Sequence, residues 1–504
     1  MKNLSKSKLI AYRQCPKRLW LEVHMPEKRA DSATTRASYE VGNEVGRIAQ
    51  QLYDTSGSGE ILDNQRDGYD FVLKRTMELI KQPKPIFEAG FSAAGVIAFA
   101  DVLLPVVKEN GCAWRMVEVK SSGSVKDYHR DDAAIQAFAA RRAGIALERI
   151  AIAHIDTSWV YLGGGDYRGL LVESDLTEEA FSRSDEVDAW VVKAHLTAAE
   201  TSVPDLRTGH QCTSPFECGF IDFCRDMEPV IEFPVRWLPK IQTKALKAFV
   251  AEHPDADIRD VDDDLLNEVQ RRVKQATVTA ELFFDEEGAA IDLRPYGLPA
   301  LFLDFETVNP AVPLWAGTRP FEQIPFQFSL HRIGDDGALI DCGFLDLSGQ
   351  NPSRPFAYAL INACGESLPV FVFNATFEIG RIKDLAKRFP ELAAQLLAIA
   401  ERIVDLQPIA RTRYYHPDQH GSWSIKDVLP TIAPDLSYKD LDGVKEGGMA
   451  AAAYQKAIHR DTSLEEKAGL ERQLTAYCRL DTLAMVRVWQ FFRFGARPEG
   501  IECS

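Results

Sequence analysis

The chain has 504 residues, 46% of them hydrophobic and 26% charged, a balance that excludes a disordered or fibrous protein and suits roughly two to four domains. Its 58 basic and 74 acidic side chains give a formal charge of −16, which argues against coating nucleic acid by bulk charge but permits a local basic groove. Nine sparse cysteines do not make a secreted disulfide framework, no run approaches the ~18 apolar residues of a membrane span, and the N-terminus is too basic for a signal peptide. A cytoplasmic protein with no membrane partner is the expectation.

The N-terminal stretch interleaves Lys6, Lys8, Arg13, Lys17 and Arg18 with Tyr12, Leu19 and Trp20. That is the pattern of a helix offering a groove and stacking platform to a single strand, or of one that turns its charge to water. Residues 95–122 read as two strands around Glu109-Asn110-Gly111, and Asn-Gly signals a hairpin. The first strand carries Asp101 and the second ends in Glu118-Val119-Lys120. Period two places Glu118 and Lys120 on one face, and pairing across the hairpin would bring Asp101 beside them. Two carboxylates converging there would hold a divalent ion, with the lysine steadying charge on a phosphate; an ordinary surface ion pair is the alternative. A helix follows, HRDDAAIQAFAARRAG, carrying Gln136, Arg141 and Arg142. With Arg271, Arg272 and Lys274 these arginines would extend a positive track.

Cys212, Cys218 and Cys224 form a C-x5-C-x5-C run, with Cys15 far upstream. The spacing is poor for a zinc finger, whereas a cubane iron–sulfur cluster takes four thiolates at irregular spacing. Phe216, Phe220 and Phe223 would shield it; four buried free thiols are the plain alternative. Cys112, Cys342, Cys364, Cys478 and Cys503 are scattered and read as packing residues. From Met227 to Gly297 the pattern is that of a connecting segment, with Pro229, Pro234 and Pro239, a helical stretch from Lys240 to His253 and the acidic run Asp260 to Asp264.

At Leu298 a new pattern begins. The apolar strand LPALFLDFETVNP delivers Asp304 and Glu306 on one face, where a buried charged pair needs cations or strong hydrogen bonds. A second buried strand, LPVFVFNATFEIGRI, delivers Asn374 and Glu378, and the last helix carries Tyr477 and Asp481 one turn apart. Each alone is weak, since a carboxylate at a loop start is often only a helix cap. Between them lie Asp405 and the polar stretch holding His416, Asp418, His420, Ser424 and Lys426, either a substrate contact or a solvated loop.

Asp101, Glu118-x-Lys120 and the helical Gln136 resemble the RecB-like branch of the PD-(D/E)XK nucleases. Ala98 stands where that branch often has glycine, and Ala140 where a tyrosine is common. The cysteine arrangement is similar to CRISPR-associated and AddB-type nucleases, in which one early and three late cysteines hold a [4Fe–4S] cluster that staples the module. The tighter C-x2-C of that family is missing, and zinc stays as the alternative. Asp304, Glu306, Glu378 and Tyr477-x3-Asp481 resemble the DnaQ-like, ribonuclease H-like exonucleases of the DEDD type, with Glu378 where the pattern has aspartate. In that family two divalent ions about 4 Å apart activate water and stabilise the leaving 3′ oxygen, and the tyrosine positions the water. The combination resembles a bacterial family of uncharacterised function that joins the two modules.

The resemblance implies an α/β protein: a restriction-endonuclease-like domain over residues 1–226, a connecting segment over 227–297 and a ribonuclease H-like domain over 298–504. It implies Mg²⁺ or Mn²⁺ at Asp101 and Glu118 and at Asp304, Glu306, Glu378 and Asp481. Lys120, Gln136 and Tyr477 would complete the two catalytic sets, and Cys15, Cys212, Cys218 and Cys224 would ligate the cluster. The implied partner is nucleic acid, DNA ahead of RNA, as single strands or frayed ends. A rival reading is a nucleic-acid-binding or scaffolding protein with one or both sites degenerate, favoured by Ala140 and Glu378. A third is a zinc-stapled hydrolase of small nucleotides.

Overall fold

A computed structural model describes residues 3–109 and 111–495. Asn110 of the hairpin turn and Cys503 lie outside the described residues. The architecture is mixed α/β. The chain divides into two compact units, one comprising Met1–Glu228 with Pro310–Glu322 and the other Pro229–Asn309 with Gln323–Ser504. Most of the segment read as a connector therefore folds with the second unit. Among the described residues no helix is long and apolar enough to cross a membrane.

The first unit is built on a seven-stranded sheet: β1 (Leu4–Ser5), β2 (Glu60–Ile61), β3 (Ile86–Ala93), β4 (Val96–Lys108), β5 (Gly111–Lys120), β6 (Leu147–Ile155) and β7 (Leu171–Asp175). Strands β2 to β7 lie in chain order, and β1 pairs with the start of β4. Helices α1 (Lys6–Gln14), α2 (Pro16–His24), α3 (Ala33–Tyr53) and α4 (Asp127–Arg142) position the side chains that matter here. Alanines on both partners let α4 approach the sheet closely: Ala98 and Ala100 of β4 share one core with Ala133, Ala134, Ala137 and Ala140 of α4.

One irregularity in this sheet falls where Glu88, Asp101 and Glu118 line a common cleft. In β3 the residues facing that core are Ile86, then Ala89 and Phe91; in β4 they are Ala98 and Ala100, then Leu103. The facing parity reverses at Glu88 and Asp101. Both are skipped in the ladder, which pairs Phe87 with Val102 and Ala89 with Ala100. Glu88 has φ 57°, a left-handed conformation that costs a non-glycine residue energy. Such ladder breaks re-aim side chains and are over-represented beside active sites.

The second unit has a five-stranded sheet and a two-stranded ribbon. The ribbon pairs β8 (Phe283–Phe284) with the later β14 (Tyr414–Tyr415). The sheet comprises β9 (Ala300–Val308), β10 (Ile324–Ile333), β11 (Leu339–Leu345), β12 (Val370–Val372) and β13 (Ile403–Asp405), in the order β11-β10-β9-β12-β13. Strand β10 runs antiparallel to both β9 and β11, while β12 and β13 run parallel to β9. Leu301, Leu303 and Phe305 of β9 join the core on one face, which holds Phe356 and Leu360. Ala300 and Phe302 join the core on the other, with Met485 and Trp489 of the last helix. By period two, Asp304 and Glu306 point to that second face. The helices that meet them are α5 (Ala375–Arg388), α6 (Ile425–Ile432) and α7 (Leu464–Phe494). The proline-rich stretch ahead of β8 has its own small core of Val235, Leu238, Leu246, Ile258, Val261 and Leu266.

Candidate metal centres

In the first unit Glu118 is almost completely buried and gathers three donors. Lys6 Nζ lies 2.6 Å and Lys120 Nζ 2.8 Å from its Oε1, and Gln136 Nε2 donates to Oε2. Asp101 accepts the Val119 backbone N–H at 2.6 Å. Asp132 of α4 pairs with Lys120 and, at 3.0 Å, with Lys6, so one carboxylate orients both ammonium groups. Glu88, Asp101, Glu118 and Lys120 line a cleft of about 390 Å³ whose other wall includes Gly42 and Gly46 of α3.

The electrostatics follow from burial. Burial, with the charge of Asp101 behind it, pushes Glu118 up to about 7. Burial raises Asp101 too, and burial with Glu118 nearby takes Glu88 to about 7. Burial would also raise Asp132, but Lys120 and Lys6 outweigh it and hold that carboxyl well below its usual range. Burial works against charge on Lys6 as well, and Asp132 and Glu118 overcome it. Glu88, Asp132 and Lys6 were not assigned to this site from sequence. The hairpin spacing indicates Glu118 and Lys120, whereas the other three arrive through strand register and helix packing.

The four cysteines converge on one cavity, with Lys17 and Arg18 also in its wall. Burial raises the thiol of Cys15 and that of Cys218, and takes Cys224 to about 11; the charge of Cys212 adds to all three, and those of Cys15 and Cys218 add to Cys224. Phe220 and Phe223 pack around Cys218 and Cys224 with Trp20 and Leu21. Phe216 differs from the expectation: its ring packs edge-on against Tyr128, 4.7 Å between centroids.

The second centre is built on carboxylates. Asp304, Glu306 and Asp481 each offer a carboxylate oxygen within 4.8 Å of the others, delivered by β9 and α7. Glu378 was expected at the end of a strand but sits on the first turn of α5, buried, with Oε2 unpaired. Asp405 anchors that turn by accepting the N–H groups of Asn374 (2.9 Å) and Ala375 (3.0 Å). Tyr438, which sequence reasoning missed, donates its hydroxyl to Asp481 at 2.6 Å. Burial pushes Glu306 and Glu378 to about 8, with Asp481 adding to the first and Asp405 to the second. Burial raises Asp481 to about 6, moderated by hydrogen bonds from Tyr438 and Tyr477 and by Lys426. Asp304 is raised well above its usual value by burial and then by Asp481, Glu306 and Glu378.

Other expectations need correcting. The N-terminal basic stretch is two helices broken at the extended Cys15 rather than one, and Lys6 and Arg18 from them line a cavity of about 820 Å³ together with Lys120 and Asp132. Leu19 and Trp20 are buried, Trp20 donating to the Glu200 carbonyl at 2.9 Å, so they offer no stacking platform. Lys17 donates to the Leu206 carbonyl at 3.1 Å, and Arg13 pairs with Asp131. In the second unit Arg272 donates to the Thr412 carbonyl and Lys274 pairs with Asp263, which are structural roles. Arg141 and Arg142 lie over the Phe181 and Phe138 rings. Cys342 is exposed, and the buried Cys478 sits 3.9 Å from Asp304. His420 stacks on Trp237, and Ser424 caps α6.

A family model described as a domain of unknown function, DUF2779, matches residues 301–424, about a quarter of the chain. That stretch carries Asp304, Glu306, Glu378 and Asp405 and ends before Lys426, Tyr477 and Asp481. No curated protein matches the chain.

Proposed function

We propose that the chain is a metal-dependent nuclease with two hydrolytic centres, a PD-(D/E)XK-type site in the first unit and a DEDD-type exonuclease site in the second. The observation that carries this reading is the cluster of Asp304, Glu306 and Asp481 with the unpaired Glu378 oxygen beside it. Buried carboxylates at this density repel one another and need cations. The strand order, three antiparallel strands extended by two parallel ones, supports a ribonuclease H-like fold for the second unit. The Glu118–Lys120 pair on a hairpin beside Asp101 supports a restriction-endonuclease-like fold for the first.

The donor sets fit Mg²⁺ or Mn²⁺, which prefer carboxylate oxygens. Asp304, Glu306, Glu378 and Asp481 would hold such ions in the second unit, and Asp101 and Glu118 with Glu88 in the first. Bound there, divalent ions supply Lewis-acid stabilisation of a phosphodiester under attack. In hydrolysis a water oxygen bonds to phosphorus, the bond from phosphorus to the departing sugar oxygen breaks, and that oxygen gains a proton. Tyr477 would orient the water, and Tyr438 holds Asp481 in place through its 2.6 Å hydrogen bond. Lys120, fixed by Glu118 and Asp132, would face the phosphate in the first cleft.

For the cysteines the better-fitting group is a [4Fe–4S] cluster. Zinc bonded to thiolates at about 2.3 Å needs sulfurs about 3.8 Å apart by tetrahedral geometry. Among the described residues the carboxylate triad alone brings three candidate ligand atoms within 4.8 Å of one another; no three thiols do so. A cubane sets its ligand sulfurs further apart.

The test uses anaerobically purified protein with Mn²⁺ and end-labelled single- and double-stranded DNA and RNA. Wild type should cut, DNA before RNA, and Lys120→Ala and Asp481→Ala should each remove a distinct set of products. Binding without cleavage would overturn the catalytic reading in favour of a scaffold. The same preparation should absorb broadly in the visible; a colourless, zinc-loaded protein would overturn the cluster.

A further inference from the structure

The second centre has a cation of its own, Lys426, which stands beside the carboxylates without pairing with them. It occupies the first turn of α6, behind the N-cap Ser424. Its ammonium donates to the Lys445 carbonyl at 2.9 Å and lies 5.2 Å from the Tyr438 ring centre and 5.1 Å from that of Tyr477. Those are the two tyrosines that bear on Asp481. Lys426 is close enough for its charge to favour ionised Glu306 and Asp481. Yet among the described residues no carboxylate comes within ion-pair distance of it.

A structural counter-ion would close that gap, because a charged hydrogen bond to a buried carboxylate is among the strongest contacts available. The first unit shows that outcome in Lys6, bonded directly to the buried Glu118. Lys426 is instead held off by two aromatic faces, which attract an ammonium without neutralising it, and by one carbonyl. Of its three donors, one is taken up by Lys445. The arrangement suits an anion arriving between the ammonium and the acidic cluster.

We propose that Lys426 is a substrate-contacting catalytic residue, its ammonium binding a non-bridging oxygen of the phosphodiester that the second centre cleaves. This rests on the nuclease reading above. The ligand class is a nucleic-acid strand end, and the tyrosine pair is the positioning element for the lysine.

The experiment compares Lys426→Met and Lys426→Arg in the full chain carrying Lys120→Ala, so that cleavage reports the second centre alone. On a labelled single-stranded oligonucleotide with Mn²⁺, Lys426→Met should lower kcat by about 10²-fold, the usual cost of one transition-state donor, with KM changed less than kcat. Lys426→Arg should recover cleavage to within about tenfold of the parent. Binding of the same oligonucleotide with Ca²⁺ in place of Mn²⁺, followed by anisotropy, gives a readout apart from turnover. The slope of log affinity against log salt should fall by about 0.7 in Lys426→Met, the value for one phosphate on a single strand. If Lys426→Met melts well below the parent, Lys426→Gln carries the same comparison. A parent that cleaves alongside a Lys426→Met variant with unchanged kcat and salt slope overturns this assignment and leaves the nuclease reading standing. A parent that neither binds nor cleaves overturns both.

Discussion

Single residues carry the sharpest constraints. Gly421 has φ 81°, and a Cβ built there would stand 1.7 Å from the Trp237 carbonyl oxygen. The left-handed conformation alone costs a non-glycine residue about 1–3 kcal/mol, and the backbone contact leaves no room to relax. Gly421→Ala should therefore destabilise the second unit by more than about 2 kcal/mol, read as a lower denaturant midpoint with unchanged slope. The same local fold stacks His420 on Trp237, 4.0 Å between ring centroids, and presents Lys426 a few residues later. At this scale the sequence was legible where chemistry followed strict periodicity. Glu118 with Lys120, Asp304 with Glu306, and Tyr477 with Asp481 each share a face through spacing alone. Tyr438 was not legible, because it reaches Asp481 from 43 positions away. Glu88 was hidden for another reason: its role depends on a ladder break that no local pattern announces.

Among elements, α3 shows a cost accepted for access. It carries Gly42 and Gly46 on one face, and both line the cleft that holds Asp101 and Glu118. Glycine inside a helix is less stable than alanine by roughly 0.5–1 kcal/mol. A Cβ at either position would meet nothing within 4 Å, so packing does not require glycine there. The bare backbone keeps the cleft open. Gly42→Ala and Gly46→Ala should each stabilise the first unit by about 0.5–1 kcal/mol in denaturant titrations. Gly46→Leu should close the cleft and remove the cleavage that depends on Lys120 while leaving that of the second centre intact. Equal loss at both centres would show that α3 supports the fold rather than the cleft. The helix itself lies in a stretch where the sequence shows no chemistry. Its two small residues gain meaning only beside the cleft that Glu88, Asp101 and Glu118 line.

For the whole molecule the governing fact is that buried carboxylates outnumber the cations facing them. In the second unit Glu306 and Glu378 rise from an ordinary 4.5 to about 8, each first through burial. A carboxyl whose pKa is higher in the folded state favours folding while it is protonated in both states, below about pH 4.5. Between that value and about 8 the unfolded chain ionises freely and the folded one does not, so the contribution is lost as pH rises. Metal-free protein should melt at progressively lower temperature across this window. Replacing both side chains, as Glu306→Gln/Glu378→Gln, removes the titration and should flatten the slope by up to about 1.4 kcal/mol per pH unit for each group, roughly 3–6 °C in Tm per pH unit and group for a unit of this size. Divalent ions work in the opposite direction, because they require the ionised form. Mn²⁺ at a hundred times its dissociation constant adds about 2.7 kcal/mol. Protons compete with it below the raised pKa values, so its stabilising increment should be larger at pH 8 than at pH 6. In the double-glutamine variant the increment should shrink at both values. An equal Mn²⁺ increment in the two proteins would place the ion away from these carboxylates, and the second centre would then lose its metal-binding role.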